Sequence, residues 1–527
     1  MALADRDFPG RIILPLLTLG GIALWMNYYG FLGKRPRSKV LFWSRAGRLI
    51  KKYLGPDYVE KEKALAEVHD AKEDYFSQLP DDVLSSILAH LTVVDAARTS
   101  ILSRRWKYRF ASMPTLQFRC LDMFGIKPYN HTCCPYYQQK FLKGVNQLLQ
   151  LYTGRKVTHV KMTFCFGRQF SSEFDQWMHS ISRLGVERLY LSFDCGINYP
   201  IHNSNPIRNS DKLFKFSLEL LSQASSLKHL LLYHCVVQSS IGVRLKSLRT
   251  LTLLGVLLES DQLERIFSSC LNLNLLELCY CKLPYKLWIS GTVTSVVFFA
   301  CGGLEEIDLW AANLHSFECN FFSKVRFYFS FVPMLENVMI DLKGATAMPY
   351  IFGDFARDLP AQVKSLTVKA SQSQIEYFPI KTQMFRNLRE LTLVLVFTHD
   401  FDIVNISPIL GVCPLLQYLD VVQSRTTRDG RGSGIRPPLS PTYHTELKEV
   451  TFGGFRGTRA EIEFAVYILR SALVLERMFL TPCFTCYSGS GTWEKTRGVS
   501  LDERKRNSIE QELHGQAISR NAVVIIQ

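Results

Sequence analysis

The chain has 527 residues, with 47% hydrophobic and 21% charged side chains and a formal net charge of +15. That balance excludes an intrinsically disordered chain, and the length allows either several domains or one repetitive domain that grows by stacking. The charge does not make a nucleic-acid binder: Lys34, Arg35, Arg37, Lys39, Arg45, Arg48, Lys51 and Lys52 form one early run, and no later segment carries a concentrated basic stripe.

In chain order, the first predicted element is the uncharged stretch IILPLLTLGGIALWMNYYGFLG at residues 12–33. A helix of that length, at about 1.5 Å per residue, is long enough to cross a bilayer core. Trp25, Tyr28 and Tyr29 lie toward its basic flank, as interfacial aromatics do. The positive charges that follow predict a single anchor with the bulk of the protein facing the cytosol. The alternative is a leader that never inserts, and both readings leave the rest of the chain in the cytosol or nucleus. Residues 34–74 read as a basic and then charged spacer, ending in the helix-prone PDYVEKEKALAEVHDAKED.

The next segment, LPDDVLSSILAHLTVVDAARTSILSRRWKYRF at residues 79–110, predicts two or three short helices. Leu84, Ile87, Leu88 and Leu91 fall at i, i+3, i+4 and i+7, an apolar stripe on one helical face. Pro80 suits a first helical turn, and Asp81 and Asp82 suit the positive end of the helix. So few apolar residues cannot enclose a full core, so part of the stripe needs a partner elsewhere.

From residue 157 one pattern keeps returning, apolar-x-x-apolar-x-apolar. It reads VTHVKM at 157, VERLYL at 186, LKHLLL at 227, LRTLTL at 248, LNLLEL at 273 and LEEIDL at 304. It continues as LENVMI at 335, VKSLTV at 363, LRELTL at 388, LQYLDV at 416, LKEVTF at 447 and LERMFL at 475. The mean interval of about 29 residues lies at the upper end of the range for leucine-rich repeats. Each copy predicts a short strand that cannot bury its apolar face alone, so the copies stack in parallel into a solenoid. The sequence therefore predicts an α/β chain: an N-terminal helical unit, then an irregular leucine-rich-repeat solenoid with parallel strands on its concave face.

Helical spacing at 261–270 and 401–413 suits the convex side, and two turn-rich loops, NYPIHNSNPIRNS and RTTRDGRGSGIRPPLSPTYH, interrupt the series. In LLLYHCVV, LTLLGVLL and LELCYCKL the sixth position, Cys235, Val256 or Cys281, points inward where the chain leaves the strand, so these cysteines are structural. Fourteen irregularly placed cysteines are not a secreted disulfide framework. The lone pair Cys483 and Cys486 lacks the second pair of a zinc site, and the sequence predicts no metal. There is no Walker loop, no G-x-S-x-G elbow and no H-E-x-x-H, and the histidines are scattered; the sequence predicts a binding protein and no catalytic residue.

Leu79-Pro80, the stripe through Leu91 and the run VVDAARTSILSRRW closely resemble the F-box motif in its plant form. ISPILGVCPLLQYLDV resembles the repeats of plant F-box proteins with leucine-rich repeats, and residues 443–482 are similar to the FBD region that closes many of them. The resemblance covers about residues 75–490, and the chain reads as an apolar segment (1–33), spacer (34–74), F-box (75–118), solenoid (119–442), FBD-like last repeats (443–490) and tail (491–527), the apolar segment being a departure from the usual architecture of such chains. It implies a substrate-recognition subunit of an SCF-type ubiquitin ligase, not itself an enzyme. The F-box would dock a Skp-type adaptor and through it a cullin and a RING subunit.

By the same resemblance, Leu79, Pro80, Leu84, Ile87, Leu88 and Leu91, with Ile101, Leu102 and Trp106, form or support the adaptor interface. Strand parity offers Lys228, His229, Arg249, Asn274, Glu305, Glu306, Arg389 and Gln417 as outward residues that could touch a protein substrate. No residue argues for a cofactor. The rival reading is a membrane-anchored repeat scaffold that binds a protein through the same repeats without any ligase role.

Overall fold

The computed structural model describes residues 80–100, 103–124, 135–152, 157–164, 171–194, 213–238, 243–258, 261–371, 374, 383–397, 402–425, 443–489, 492–496, 498 and 500–527. Residues 12–33, the spacer 34–74 and most of both long loops lie outside the described residues. Among the described residues no helix is long and apolar enough to cross a membrane. The chain divides into two compact units, residues 1–202 and 203–527.

The first unit opens with three short helices, α1 (Asp81–His90), α2 (Val93–Thr99) and α3 (Arg104–Ala111). Strand β1 (Thr115–Arg119) follows, then α4 (Cys120–Phe124), α5 (Pro135–Leu151), β2 (His159–Thr163), α6 (Ser171–Arg183) and β3 (Arg188–Ser192). β1, β2 and β3 pair in parallel, Leu116 beside Val160 and Val160 beside Leu189. Alternate residues of each strand are buried, as a strand with one covered face requires. Phe141, Phe164, Phe174 and Trp177 fill the space beneath, with Phe164 and Phe174 centroids 5.7 Å apart.

The second unit is a parallel coil. Its strands run β4 (Phe214–Ser217), β5 (His229–Tyr233), β6 (Cys235–Gln238) and β7 (Thr250–Leu254), followed by helix α7 (Gln262–Ser269). Next come β8 (Leu275–Cys279), β9 (Lys286–Ser290), β10 (Ser295–Cys301), β11 (Glu306–Trp310), β12 (Ser316–Phe321), β13 (Arg326–Phe331) and β14 (Asn337–Leu342). Helical turns α8 (Ala347–Tyr350) and α9 (Ala356–Asp358) lead to β15 (Ser365–Ser371), β16 (Glu390–Phe397), α10 (Ser407–Gly411) and β17 (Tyr418–Arg425). The coil closes with β18 (Glu449–Gly453), α11 (Arg459–Ser471), β19 (Arg477–Thr481), the hairpin β20 (Phe484–Gly489) and β21 (Thr492–Thr496), α12 (Glu503–Leu513) and β22 (Val523–Ile526).

Twelve of these strands line up in one parallel sheet in the order β5-β7-β8-β10-β12-β14-β15-β16-β17-β18-β19-β22. Eleven of the twelve sequence repeats form strands of this parallel kind, two in the first unit and nine in the second. The exception is LEEIDL. It forms β11, the centre of a separate three-stranded parallel sheet, β13-β11-β9. The reason lies in the local spacing: Leu275, Ser295, Ser316 and Asn337 occupy one register column, at intervals of 20, 21 and 21 residues. A coil that short has no room for a helix on its far side, so a second strand closes it instead. Leu287, Ile307 and Phe327 of that second sheet are buried against the first, with Phe317 and Phe327 centroids 5.7 Å apart.

At the ends of the early strands the chain turns through a left-handed residue, His234, Gly255, Tyr280 or Ala300, with φ of 58°, 59°, 53° and 51°. The next residue in each case, Cys235, Val256, Cys281 or Cys301, then points into the core at 0–3% exposure. The turn explains why that position takes a small side chain. Burial pushes the Cys270 and Cys413 thiols up to about 12 and that of Cys301 well above its ordinary value, so these cysteines are inert at neutral pH.

His444 supplies a titration test of this core. It is 4% exposed, its ring lies edge-on to Tyr467, and its Nε2 has no hydrogen-bond partner among the described residues. Burial holds its pKa below 6.5, so as pH falls through 6.5 the unfolded chain takes up a proton that the folded chain refuses. Stability contributed by neutral His444 is thus complete above that pH and is lost below it. Urea midpoints at about pH 7 and 5 should show the parent losing stability relative to His444→Phe. The comparison with the variant is needed because Asp420, raised to about 6 by burial, contributes with the opposite sign in the same range.

Candidate adaptor-docking helices and repeat surface

Helix α1 starts at Pro80, whose carbonyl accepts from the Val83 and Leu84 amides at 3.1 Å, with Asp81 and Asp82 in the first turn. Thr92 caps α2 by accepting from the Asp95 amide, and Ser103 caps α3 by accepting from the Trp106 amide. These caps make three helices out of a segment too short to propagate one stably. Leu84 and Leu88 are fully buried, together with Ala96, Trp106 and Phe110, where α1 and α2 pack on α3.

Of the nine residues that the sequence assigns to adaptor binding, Leu84, Leu88 and Trp106 thus fill the interior between the helices. Buried there, they have no surface to offer a partner. Pro80 is exposed, and Ile87 and Leu91 are half-buried. Leu79, Ile101 and Leu102 lie outside the described residues. Val83, one turn before Ile87 on the same ridge, is also half-buried. Sequence reading passed over Val83 because the stripe it followed, Leu84, Ile87, Leu88 and Leu91, starts one residue later. The surface strip is therefore Pro80, Val83, Ile87 and Leu91.

Asp81 pins the first helix to the third, accepting from Arg105 Nη2 at 2.6 Å and from the Arg109 guanidinium. Its side chain keeps 45% of its exposure, so solvent discounts the pairs. Asp81→Asn should lower stability by about 1 kcal/mol in urea denaturation and raise amide exchange selectively in α1 and α3.

On the coil, the predicted contact residues fall into separate rows. Lys228, Arg249 and Asn274 form one row, each just before its strand: the Arg249 amide donates to the Lys228 carbonyl and the Asn274 amide to the Arg249 carbonyl, both at 2.8 Å. Arg389 and Gln417 stand in the same relation farther along, at 2.8 Å. Arg249, Asn274 and Arg389 are exposed, while Lys228 and Gln417 are half-buried. His229 begins the strand itself and pairs in register with Thr250. Glu305 and Glu306 do not join these residues. They belong to the second sheet, where Glu306 bonds Arg326 at 2.5 Å and Lys286 at 3.6 Å.

The outward face of the twelve-stranded sheet also carries acids that sequence reading did not single out. Glu277 accepts from Thr252 at 2.6 Å. Asp341, 1% exposed, is held by Asn320 at 2.5 Å, Lys343 at 2.6 Å and Lys369 at 3.7 Å. Glu277 occupies the second outward position of its strand and Asp341 the third, both with the same parity as His229, so alternation alone could have found them. No group of three or more metal-binding side chains exists among the described residues.

The family model for the F-box domain matches residues 76–117, and the model described as At1g61320/AtMIF1, LRR domain, matches residues 148–518, more than half of the chain. The chain belongs to the plant F-box and leucine-rich-repeat family. Among curated proteins, the F-box/FBD/LRR-repeat protein At5g56420 of Arabidopsis thaliana is 24% identical over 78% of this chain and 92% of its own length. A shorter match, 29% identical, links 23% of this chain to 28% of the F-box/FBD/LRR-repeat protein At1g13570 of the same plant. The putative F-box protein At1g67390, also from Arabidopsis thaliana, is 26% identical over 55% of both chains. Matches to this family thus range from about a quarter of a relative's length to nearly all of it. The F-box/LRR chain carries both of the family's parts: the capped helices lie within the F-box match, and most of the parallel coil lies within the repeat match.

Proposed function

We propose that this F-box/LRR protein is the substrate-recognition subunit of an SCF-type ubiquitin ligase. Its capped helices dock a Skp-type adaptor, which joins a cullin and a RING subunit, and its coil holds the protein to be ubiquitinated. The chain itself transfers nothing; ubiquitin reaches the substrate from the other subunits. The observation that carries this reading is the division of labour in α1. One ridge, Leu84 and Leu88, is consumed in the interior, and the next, Pro80, Val83, Ile87 and Leu91, keeps apolar surface at the protein boundary. An apolar strip next to a rigidly capped core is what a partner helix can cover.

Co-precipitation with a Skp-type adaptor tests the reading. The intact chain should recover the adaptor, and a chain altered only at Ile87 should not. Failure of the intact chain to recover it would favour a repeat protein that binds its partner outside any ligase.

A further inference from the structure

The three-stranded sheet β9-β11-β13 exposes a face that the adaptor reading leaves unused. Its outward side chains form rows in register. Lys286, Glu306 and Arg326 make the first row, and Trp288, Asp308 and Tyr328 the second. Trp310, 59% exposed, stands in the third beside Phe331, with ring centroids 5.8 Å apart. Trp288 and Tyr328 are 43% and 42% exposed, a large aromatic area to leave in water. Neither edge of the sheet invites an added strand, because α7 packs against β9 and the Phe327 amide of β13 donates to the Tyr350 hydroxyl. The available surface is the face itself.

Two observations define what that face attracts. The Lys286 ammonium already lies 5.1 Å from the Trp288 centroid and 5.8 Å from that of Tyr328. Between those rings Asp308 Oδ1 is buried and accepts no hydrogen bond from any described residue. A buried carboxylate oxygen without a donor is costly, and rings on either side of it stabilise a cation placed there. A guanidinium satisfies both, stacking on an indole while donating to the carboxylate. Phosphate groups would instead meet Asp308 and Glu306.

We infer that this face docks an extended, arginine-bearing segment of a partner protein, with one guanidinium lying on Trp288 and donating to Asp308 as Lys286 swings aside. This stands whether or not α1 engages an adaptor.

The test uses the full chain and a synthetic peptide of alternating arginine and glycine, followed by intrinsic tryptophan fluorescence. Saturable binding is expected, weakened about tenfold by Asp308→Asn and by Trp288→Ala and strengthened by Lys286→Met. All three positions are at the surface, and unchanged melting curves identify the variants as folded; Trp310→Ala gives an independent second probe of the same face. Absence of saturable binding overturns the inference. So does equal affinity in Asp308→Asn, or tighter binding of an acidic peptide, of oligouridylate or of a neutral oligosaccharide.

Discussion

Ile87→Asp is expected to abolish adaptor capture while the chain unfolds at the same urea concentration as the parent. The side chain sits half in water on the outer ridge of α1, so a carboxylate there is solvated in the free protein and costs little. In a complex that covers the ridge it becomes a desolvated charge without a partner, which costs several kcal/mol and lowers affinity by more than about a hundredfold. Leu88→Ala is the informative contrast. Leu88 is fully buried between the helices, so its truncation should cost about 2–5 kcal/mol of stability and weaken adaptor binding only through loss of the fold. Affinity measured by calorimetry, beside a urea midpoint for each variant, separates the two. Parent-like adaptor affinity in Ile87→Asp would remove the outer ridge from the interface.

Gly454→Ala is expected to be among the most damaging single methyl additions in the coil. Gly454 closes β18 at φ +76°, and a Cβ there would collide with the Gln423 carbonyl oxygen of the neighbouring coil. The left-handed conformation costs a non-glycine residue about 1–2 kcal/mol, and a clash with backbone that cannot rotate away adds about 1–3 kcal/mol. The total, about 2–5 kcal/mol, falls where Phe452 and Phe455, 5.2 Å apart, hold α11 onto the sheet. Gly344→Ala provides the calibration: Gly344 has φ +98° but open space around it, so only the conformational cost remains. Urea midpoints of the two variants measure the clash by difference, and equal shifts would show that the β17–β18 coils part without penalty.

Much of this was legible in the sequence because the repeat pattern is itself a statement about burial. Strands such as LKHLLL and LRELTL announce themselves through leucine at all three inward positions. Strands β10 and β12 carry the same apolar-x-x-apolar-x-apolar pattern, as VTSVVF at 293 and LHSFEC at 314, but the twelve copies read from the sequence do not include them. With those two strands missing, LEEIDL filled an apparent gap of ordinary length between LNLLEL and LENVMI. Its assignment to the wrong sheet, and with it that of Glu305 and Glu306, followed from spacing and not from composition. On the F-box helices the apolar stripe was visible, but a stripe does not say which of its ridges turns inward. That choice is made by Trp106 and Phe110 from α3, whose packing no local pattern in α1 records.

The coils of 20 and 21 residues bear on how this protein can change over time. In the longer coils a connecting segment can absorb an extra residue before the next strand begins. Where a strand lies on both sides there is no such slack, because one added residue would turn every buried side chain of β9, β11 or β13 toward water and every exposed aromatic inward. Relatives should therefore vary in length elsewhere and keep a fixed residue count between Leu275 and Asn337, free to exchange the side chains it displays but not to lengthen the frame that displays them.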